Sequence, residues 1–368
     1  MRPKRAKGSS RAKTPAKTRR LTARREHSIH WDELSRPRQT QLLRVAKRIA
    51  LRESKNLRER YGPDVLSVGV GFITKGKSRR LYRDLVLRFF VRKKWSDATP
   101  DDRLHYIPPT LAIRTGRAGK QRTVRIPTDV NLLSGGSLQR TSVVVRPPGA
   151  SSGDTGSICC VVRDAQSGDQ FLLSCKHVFG LTDMSPSCSG RDDAKIHARG
   201  PNENNVATID QPSDLADIFP DQDQFSIDAA IARILRPSTF RRDVDGRPVL
   251  SIQTDEDQIR PGDQYKLLGG TSGVINATVV GIIPFARIPV TCNGQNHIWL
   301  FRRLVEYQPS PPTQGGDSGS PLMDASILVG MHFYLQGDSP RHAFAMLAED
   351  VIDQSTFNRR LELVPDPT

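Results

Sequence analysis

Cysteine and aromatic residues are scarce in this chain of 368 residues, and it has no long apolar run. The five cysteines are irregularly spaced, and no two of them are separated by two residues, so neither a disulfide framework nor a zinc site is indicated. No stretch reaches the roughly 18 apolar residues that a membrane-spanning helix needs. No apolar segment follows the basic start, so we expect reduced cysteines, a cytoplasmic location and no membrane partner.

Acidic residues are absent from the first 25 positions, which carry eleven basic side chains. This arm accounts for most of the net charge of +16, so the rest of the chain is not a strongly basic nucleic-acid domain. Residues 1–30 have almost nothing to bury, and we expect them to be disordered. Three roles are compatible with the arm: a solubilising tail, an organelle transit peptide, or a contact to nucleic acid or an acidic partner.

Two segments with apolar patterns separate the arm from the rest of the chain. Residues 31–62 predict an amphipathic helix, whose basic face is typical of exposure to solvent. Residues 63–140 predict a small α/β module and a linker, with strands over 65–73, 81–91 and 123–130. Gly, Ser and Pro are frequent from 131 to 153, which indicates the linker. No catalytic motif is visible in these segments.

Short β-rich runs, broken by Gly, Asp, Asn and Pro, recur from residue 141 onward. These runs lie at 158–163, 170–174, 227–235, 264–268, 273–283, 297–307, 327–335 and 343–347. Their spacing is typical of a β-barrel or sandwich pair. One helix over 349–362 is expected to close the chain.

The sharpest motif in the sequence is Gly315-Gly316-Asp317-Ser318-Gly319-Ser320-Pro321. Glycines on both sides of a serine allow a tight turn and leave room for a substrate carbonyl beside the hydroxyl. The amides of Gly316 and Ser318 can then point at one spot and form an oxyanion hole. The alternative is a plain surface turn. Asp317 also needs a partner that the sequence does not name.

A serine hydroxyl becomes a good nucleophile only when a base removes its proton. His177 ends the apolar run 171–176, where a strand tip would present it to a cleft. Asp228 lies in the apolar run 227–234, where a carboxylate is costly unless it is paired, as an acid that orients a histidine would be. Asp210 and Asp217 are rivals in more polar stretches. Structural roles are the alternatives for His177 and Asp228.

Together these motifs resemble the trypsin/chymotrypsin-like serine peptidases over about residues 141–362. The stretch 316–321 is similar to the family's nucleophile motif. Residues 173–177 resemble its strand that ends in the catalytic histidine, and residues 228–234 resemble its catalytic Asp and the apolar run that follows. The order His, Asp, Ser along the chain also fits. Val178 stands where the family usually has a cysteine, and no activation-site sequence is visible. The chain therefore resembles the cytoplasmic bacterial members most.

The resemblance implies a mainly β, chymotrypsin-like double β-barrel, with a small N-terminal α/β module and a C-terminal helix. The protease domain would span residues 141–368, with His177 and Asp228 in one barrel and Ser318 in the other. The implied activity is hydrolysis of peptide bonds in a protein or peptide substrate by the triad His177, Asp228 and Ser318. The amides of Gly316 and Ser318 would form the oxyanion hole, and no metal or organic cofactor is implied.

Two further residues suggest a substrate preference. Thr313 and His332 stand where glutamyl endopeptidases and Gln-selecting viral chymotrypsin-like proteases have the walls of their specificity pocket. A hydroxyl and an imidazole N–H can both donate to a carboxylate or amide oxygen. The resemblance therefore implies cleavage after Glu or Gln, whereas the alternative for His332 is a core histidine with backbone partners.

A function of a different class remains open. The same fold could be a catalytically silent scaffold that binds nucleic acid or an acidic partner through its basic arm. Labelling of Ser318 by a fluorophosphonate distinguishes the enzyme from the scaffold. A salt-dependent affinity that is lost with residues 1–30 would indicate the binding role.

Overall fold

The structure, a computed structural model, describes the following parts of the chain: residues 31–55, 57–73, 84–92, 107–115, 122–133, 137–138, 156–179, 195–197, 206–208, 224–234, 243–244, 247–292, 295–336 and 342–364. The basic arm 1–30, most of the expected linker 131–153, and the rival acids Asp210 and Asp217 lie outside the described residues.

Strands dominate the described chain, which confirms the predicted mainly β class. The α-helices are α1 Arg36–Lys55, α2 Leu57–Tyr61, α3 Ala348–Ile352 and α4 Gln354–Phe357. The first ten strands are β1 Val65–Phe72, β2 Leu85–Val91, β3 Thr110–Thr115, β4 Arg122–Leu132, β5 Ser137–Leu138, β6 Cys160–Asp164, β7 Gln170–Ser174, β8 Lys195–His197, β9 Val206–Thr208 and β10 Ala230–Ile234. The other ten are β11 Asp243–Val244, β12 Arg247–Pro248, β13 Ser251–Ile252, β14 Gln264–Gly269, β15 Gly273–Cys292, β16 Gln295–Ser310, β17 Pro321–Asp324, β18 Ile327–Leu335, β19 Ala343–Leu347 and β20 Leu361–Leu363. Among the described helices, none combines the length and apolarity that crossing a bilayer requires.

Six strands of the larger sheet close into a barrel. They are hydrogen-bonded in the order β14, β17, β18, β19, β16, β15, and β15 pairs back to β14. Alternate side chains of these strands point inward, so the barrel interior is filled by residues such as Val279, Tyr307 and Val329. Ser318 lies in the connection between β16 and β17, at one end of this barrel.

A second sheet carries the other two candidate catalytic residues. Its strand order is β20, β6, β7, β10, β9, β8. Strands β7 and β10 are antiparallel, and Ser174 at the end of β7 lies opposite Ala230 at the start of β10. His177 follows β7 in a short 3-10 turn, and Asp228 precedes β10. The antiparallel pairing therefore brings the two residues to the same edge of the sheet.

The N-terminal module extends the larger sheet. Strand β1 pairs antiparallel with β15, with Val68 opposite Phe285, and β2, β4 and β3 continue outward from β1. Helix α1 packs against β1 and β15, and its apolar face holds Leu43, Ala46 and Ile49. The module thus shares hydrogen bonds with the barrel that bears Ser318. The domain boundaries at 30, 62 and 140 remain predictions.

Part of the basic face of α1 is not exposed to solvent as the sequence led us to expect. Lys47 is only 7% exposed and donates to the Glu256 carbonyl and to the carboxylate of Asp257. Arg44 donates to the same Asp257 carboxylate at 2.6 Å. An acidic turn in the barrel domain therefore neutralises this part of the face, which the sequence could not show because the partners lie about 210 positions away.

The predicted C-terminal helix is present but shorter than the expected 349–362. Helix α3 ends at Ile352, and Asp353 begins a new helix by accepting a hydrogen bond from the Ser355 amide. Asn358 adopts a left-handed conformation, with φ of +52°, and ends α4. The residues that follow form β20 and pair with β6. The end of the chain thus completes the sheet that carries His177.

Candidate active site

The turn that bears Ser318 is held by its own backbone and by its neighbours. The Asp317 amide donates to the Gln314 carbonyl, and the Gly319 amide donates to the His332 carbonyl at 2.8 Å. Gly316 and Gly319 have φ of +110° and +88°, values that side chains with a Cβ rarely adopt. The backbone of this turn therefore requires both glycines of the Gly316–Gly319 motif.

Gly319 also lies too close to the second sheet for any other residue. A Cβ at this position would lie 2.0 Å from the Ser157 carbonyl oxygen and 2.3 Å from the Ser174 hydroxyl. Ser174 is the last residue of β7, three positions before His177. The absence of a side chain at 319 therefore lets the Ser318 turn pack directly against the strand that leads to His177.

Ser318 is fully buried, and both of its oxygens have partners within the chain. Its hydroxyl donates to the Phe333 carbonyl at 3.3 Å, and its carbonyl accepts a hydrogen bond from the Ser157 amide at 2.8 Å. Among the described residues, no hydrogen bond uses the amide of Gly316 or the amide of Ser318. Both N–H groups expected to form an oxyanion hole are therefore without a described partner.

Asp317 has the partners that its sequence could not name. The amides of Thr271 and Ser272 donate to one carboxylate oxygen, at 3.2 and 3.1 Å. The Ser272 hydroxyl and the Gln314 amide donate to the other, at 2.6 and 2.8 Å. Four neutral donors thus satisfy this buried carboxylate. Among the described residues, its hydrogen-bond partners include no cation. The connection between β14 and β15 thus fixes the turn before Ser318.

His177 and Asp228 form a buried hydrogen-bonded pair. The His177 Nδ1 atom lies 2.5 Å from Asp228 Oδ2, and the His177 amide donates to Asp228 Oδ1 at 3.2 Å. The two side chains are 2% and 0% exposed. The second bond fixes the carboxylate relative to the histidine backbone, so the imidazole is oriented by one carboxylate through two contacts. A lone surface acid would not provide this arrangement.

Three residues join the second sheet to the Ser318 turn. The Cys175 thiol donates to the His332 carbonyl at 3.3 Å, and the Ser174 hydroxyl donates to the Ser157 carbonyl at 2.5 Å. Ser157 in turn donates through its hydroxyl to the Gly316 carbonyl at 2.7 Å and through its amide to Ser318. The elements that carry His177 and Ser318 therefore meet through short polar contacts on both sides of the nucleophile turn.

Cys175, His177 and Asp228 also lie close enough to offer ligand atoms to a metal ion, within 4.8 Å of one another. A metal ion held by these three residues would require Cys175 as a thiolate. Burial raises the pKa of Cys175 well above its ordinary value, and the Asp228 charge raises it further. The thiol already donates to a carbonyl, and the imidazole Nδ1 already contacts the carboxylate. These contacts favour a hydrogen-bonded set over a metal site.

His332, on β18, and Thr313, in the connection between β16 and β17, each offer a buried polar atom. Tyr307 Oη lies 2.8 Å from His332 Nδ1, while His332 Nε2 and Thr313 Oγ1 have no hydrogen-bond partner among the described residues. The two side chains are 0% and 1% exposed. Burial lowers the pKa of His332 to about 4, although the Asp317 charge and the nearby Phe344 backbone oppose this effect. The imidazole is therefore neutral at neutral pH.

Some of these contacts have no signal in the sequence. Tyr307 contacts His332 from a neighbouring part of the barrel, and Ser157 and Ser272 bind the nucleophile turn from connections remote in sequence. A tyrosine in a strand and serines in polar connections are common, so their residue types alone do not mark them. Only the pairing of distant strands identifies them.

Comparison with known proteins returned similar solved structures only. No family model and no curated protein matches the chain. A protease of Nocardiopsis is 17% identical with a TM-score of 0.38, covering 62% of this chain and 97% of that one. Protease A of Thermobifida fusca is 17% identical with a TM-score of 0.38, covering 63% and 98%. A glutamic-acid-specific serine protease, whose substrate binding uses a histidine triad, is 17% identical with a TM-score of 0.37, covering 61% and 96%.

Proposed function

We propose that this chain is a serine endopeptidase, with Ser318 as nucleophile, His177 as general base and Asp228 as the acid that orients the histidine. The observation that carries the proposal is the buried His177–Asp228 pair, fixed by two hydrogen bonds on a sheet that packs against the Ser318 turn. A carboxylate bound to Nδ1 selects the tautomer whose Nε2 can accept a proton. Burial of both groups makes their mutual orientation rigid.

In the proposed reaction, the Ser318 hydroxyl leaves the Phe333 carbonyl and gives its proton to His177 Nε2 while its oxygen attacks the scissile carbonyl. His177 then gives that proton to the leaving amine, and an acyl-enzyme forms on Ser318. Water hydrolyses the ester by the same proton transfers in reverse order. Asp228 holds the imidazole in this tautomer and stabilises the imidazolium that forms in each step.

The amides of Gly316 and Ser318 are proposed to stabilise the oxyanion. They are without described partners and lie on a turn fixed by Asp317 and by two glycines with positive φ. Donors held in place before the reaction require no reorganisation when charge develops on the carbonyl oxygen. Each such donor typically lowers the barrier by about 3 kcal/mol.

Of the two residues expected before the scissile bond, Glu or Gln, the pocket chemistry favours Gln. Burial raises the pKa of Tyr307 well above its ordinary value, so its hydroxyl stays protonated and is able to donate to His332 Nδ1. The ring proton then lies on Nε2, which together with Thr313 Oγ1 offers donors to a carbonyl oxygen. A neutral histidine does not compensate the charge of a buried carboxylate, whereas an amide needs no such compensation.

Labelling with a fluorophosphonate probe tests the proposal directly. We expect covalent labelling of the full-length protein at Ser318, and complete loss of labelling in Ser318→Ala. The matched control is Ser251→Ala, which removes an exposed serine hydroxyl from β13 and should label like the original chain.

A folded protein that the probe does not label at Ser318 would contradict the proposal. Salt-sensitive nucleic-acid binding by such a protein, lost on deletion of residues 1–30, would instead indicate the scaffold function.

A further inference from the structure

A short connection on the surface lies against the turn that bears Ser318. It consists of residues 270–272 and joins β14 to β15. A Cβ at Gly269, the last residue of β14, would lie 2.3 Å from the carboxylate oxygen Oδ1 of Asp317. The connection and the nucleophile turn are therefore in direct contact, and no further side chain fits between them at this point.

Within this connection, Thr271 makes two contacts with the nucleophile turn. Its amide donates to the Asp317 carboxylate at 3.2 Å, and its hydroxyl donates to the Gly315 carbonyl at 3.0 Å. The first contact uses a backbone group that every residue type except proline possesses. The second contact uses the side chain, so it requires a hydroxyl at position 271.

The Gly315 carbonyl belongs to the same peptide group as the Gly316 N–H. This peptide is trans, and in a trans peptide the carbonyl and the N–H point in opposite directions. A donor that holds the Gly315 carbonyl beside Thr271 therefore directs the Gly316 N–H away from the connection. That N–H is one of the two proposed oxyanion donors, and no hydrogen bond among the described residues uses it.

The two proposed oxyanion donors are held in different ways. The Ser318 N–H lies on a peptide whose carbonyl, that of Asp317, accepts a hydrogen bond from the Ser320 amide at 3.0 Å. The peptide between Gly315 and Gly316 has no Cβ on either side, so steric contacts restrict its rotation far less than in other residue pairs. Backbone thus fixes one donor, whereas a side-chain hydroxyl fixes the other.

We propose that Thr271 is a positioning residue of the active site. Its hydroxyl holds the Gly315–Gly316 peptide in the orientation in which the Gly316 N–H is able to donate to the oxyanion. This inference rests on the proposed endopeptidase function. Thr271 acts through this peptide rather than on the substrate, because it raises the fraction of molecules whose oxyanion hole is complete before the substrate binds.

The first test is Thr271→Val, which removes the hydroxyl but keeps the branched shape and the amide that binds Asp317. With a fluorogenic peptide that has Gln before the scissile bond, we expect kcat to fall by about 5- to 10-fold, the effect of losing one ordinary hydrogen bond. KM should stay within about 2-fold, because the oxyanion develops only in the transition state. Thr271→Ser regains the hydroxyl and should restore kcat to within about 2-fold.

The matched control is Thr278→Val on β15 of the same hairpin. The Thr278 hydroxyl donates to the side chain of Gln264 on β14 and contacts no group of the nucleophile turn. This variant loses a threonine hydroxyl of the same kind, so it should keep the original kcat and KM. The thermal midpoint of each variant should remain within about 2 °C of the original, which shows that each is folded.

A peptide aldehyde separates positioning from a general structural effect. Ser318 Oγ adds to the aldehyde carbon and creates a tetrahedral oxyanion, so the affinity of the aldehyde reports the oxyanion hole. In Thr271→Val its inhibition constant should rise by about 5- to 10-fold, in step with the fall in kcat. The affinity of the uncleaved peptide, measured in Ser318→Ala with and without Thr271→Val, should not change.

The outcomes separate this inference from the proposed function. A protein that the fluorophosphonate labels at Ser318, but whose Thr271→Val variant keeps the original kcat and aldehyde affinity, overturns the role of Thr271 and leaves the endopeptidase intact. The same conclusion follows if Thr271→Ser fails to restore kcat, or if Thr278→Val loses as much activity as Thr271→Val. Failure of labelling contradicts the endopeptidase itself, and the role of Thr271 with it.

Discussion

At the scale of single residues, the polar groups around the nucleophile turn are satisfied by partners from distant parts of the chain. Asp317 is held by Ser272, Thr271 and Gln314, so its carboxylate is fixed without a newly formed chain terminus. This agrees with the absence of a recognisable activation-site sequence before the barrel. His332 Nε2, Thr313 Oγ1 and Ser320 Oγ are exceptions, because each of these atoms is buried without a described partner. An unmet donor in a buried site is what substrate binding can satisfy.

The lowered pKa of His332 predicts how substrate preference depends on pH. Burial lowers that pKa from its ordinary value to about 4, so the ring takes up a proton only as the pH falls towards that value. We expect the ratio of cleavage rates after Gln and after Glu to stay constant from about pH 8 down to about pH 5.5. Fluorogenic peptides that differ only in that residue measure the ratio.

Substitution of His332 and its neighbour completes this test. His332→Ala should remove the preference for Gln, and Tyr307→Phe should weaken it by removing the hydroxyl next to Nδ1 while keeping the ring. Retained fluorophosphonate labelling shows that each variant is folded. A Gln preference unchanged in labelled His332→Ala would remove His332 from the specificity pocket.

At the scale of elements, a buried ionic contact joins the N-terminal module to the barrel. Arg88 of β2 pairs with Glu306 of β16, and His342, just before β19, contacts the other oxygen of the same carboxylate. Burial alone would raise the pKa of Glu306, but the Arg88 guanidinium and the His342 ring together lower it. The carboxylate therefore depends on its partners to remain ionised in the core.

Loss of the Arg88 guanidinium should therefore be costly. We expect Arg88→Met to lower the free energy of unfolding by about 3–5 kcal/mol, because it leaves a buried carboxylate without its cation. Arg92→Met, which alters an exposed arginine just after the same strand, is the control and should change stability by less than about 0.5 kcal/mol. Urea unfolding measures both, and equal effects of the two changes would refute the argument.

The lowered pKa of Glu306 also predicts how the stability of the chain depends on pH. A carboxylate whose folded pKa is lowered adds stability above its unfolded pKa, and this contribution is lost as the pH falls through the folded value. In Arg88→Met the folded pKa of Glu306 should shift upward, towards or above its unfolded value, so acidification should destabilise the variant less than it destabilises the original chain. The two urea midpoints compared along an acid series report this shift.

At the scale of the whole molecule, the N-terminal module is part of the same hydrogen-bonded sheet as the barrel. Strand β1 covers an edge of β15 along Val68 to Gly71, and α1 packs over both strands. An uncovered strand edge of this kind favours aggregation. The two sheets also depend on each other at the active site, where Gly319 packs against Ser157 and Ser174. We therefore expect the described parts of the chain to fold as one interdependent unit across the predicted domain boundaries.

Truncation tests this interdependence. Deletion of residues 1–30 should leave the thermal midpoint within about 2 °C of the original, because the helix that packs on the sheet begins at Arg36. Deletion of residues 1–92 should abolish cooperative unfolding or cause aggregation, because it removes α1, β1 and β2 together. Circular dichroism and size-exclusion chromatography distinguish these results. A soluble, cooperatively folded chain without residues 1–92 would show that the barrel folds independently.

The sequence by itself determined the mainly β class, most of the strands after residue 156, and the chemistry of the candidate site. Gly316, Ser318 and Gly319 stand in one short motif, and the runs that end in His177 and begin near Asp228 are local patterns. Strands, tight turns and a candidate nucleophile are each formed by residues that lie close together in sequence. Local patterns are therefore enough to recognise them.

The tertiary structure alone decided which distant groups meet. It paired β1 with β15, split the C-terminal helix, placed an acidic turn beside Lys47, and gave Asp317 and His332 their partners. It also paired β5 with the end of β18, with Leu138 opposite Tyr334. Such contacts depend on strand register and on packing between sheets, and a shift of one residue in register would exchange every partner without changing any local pattern.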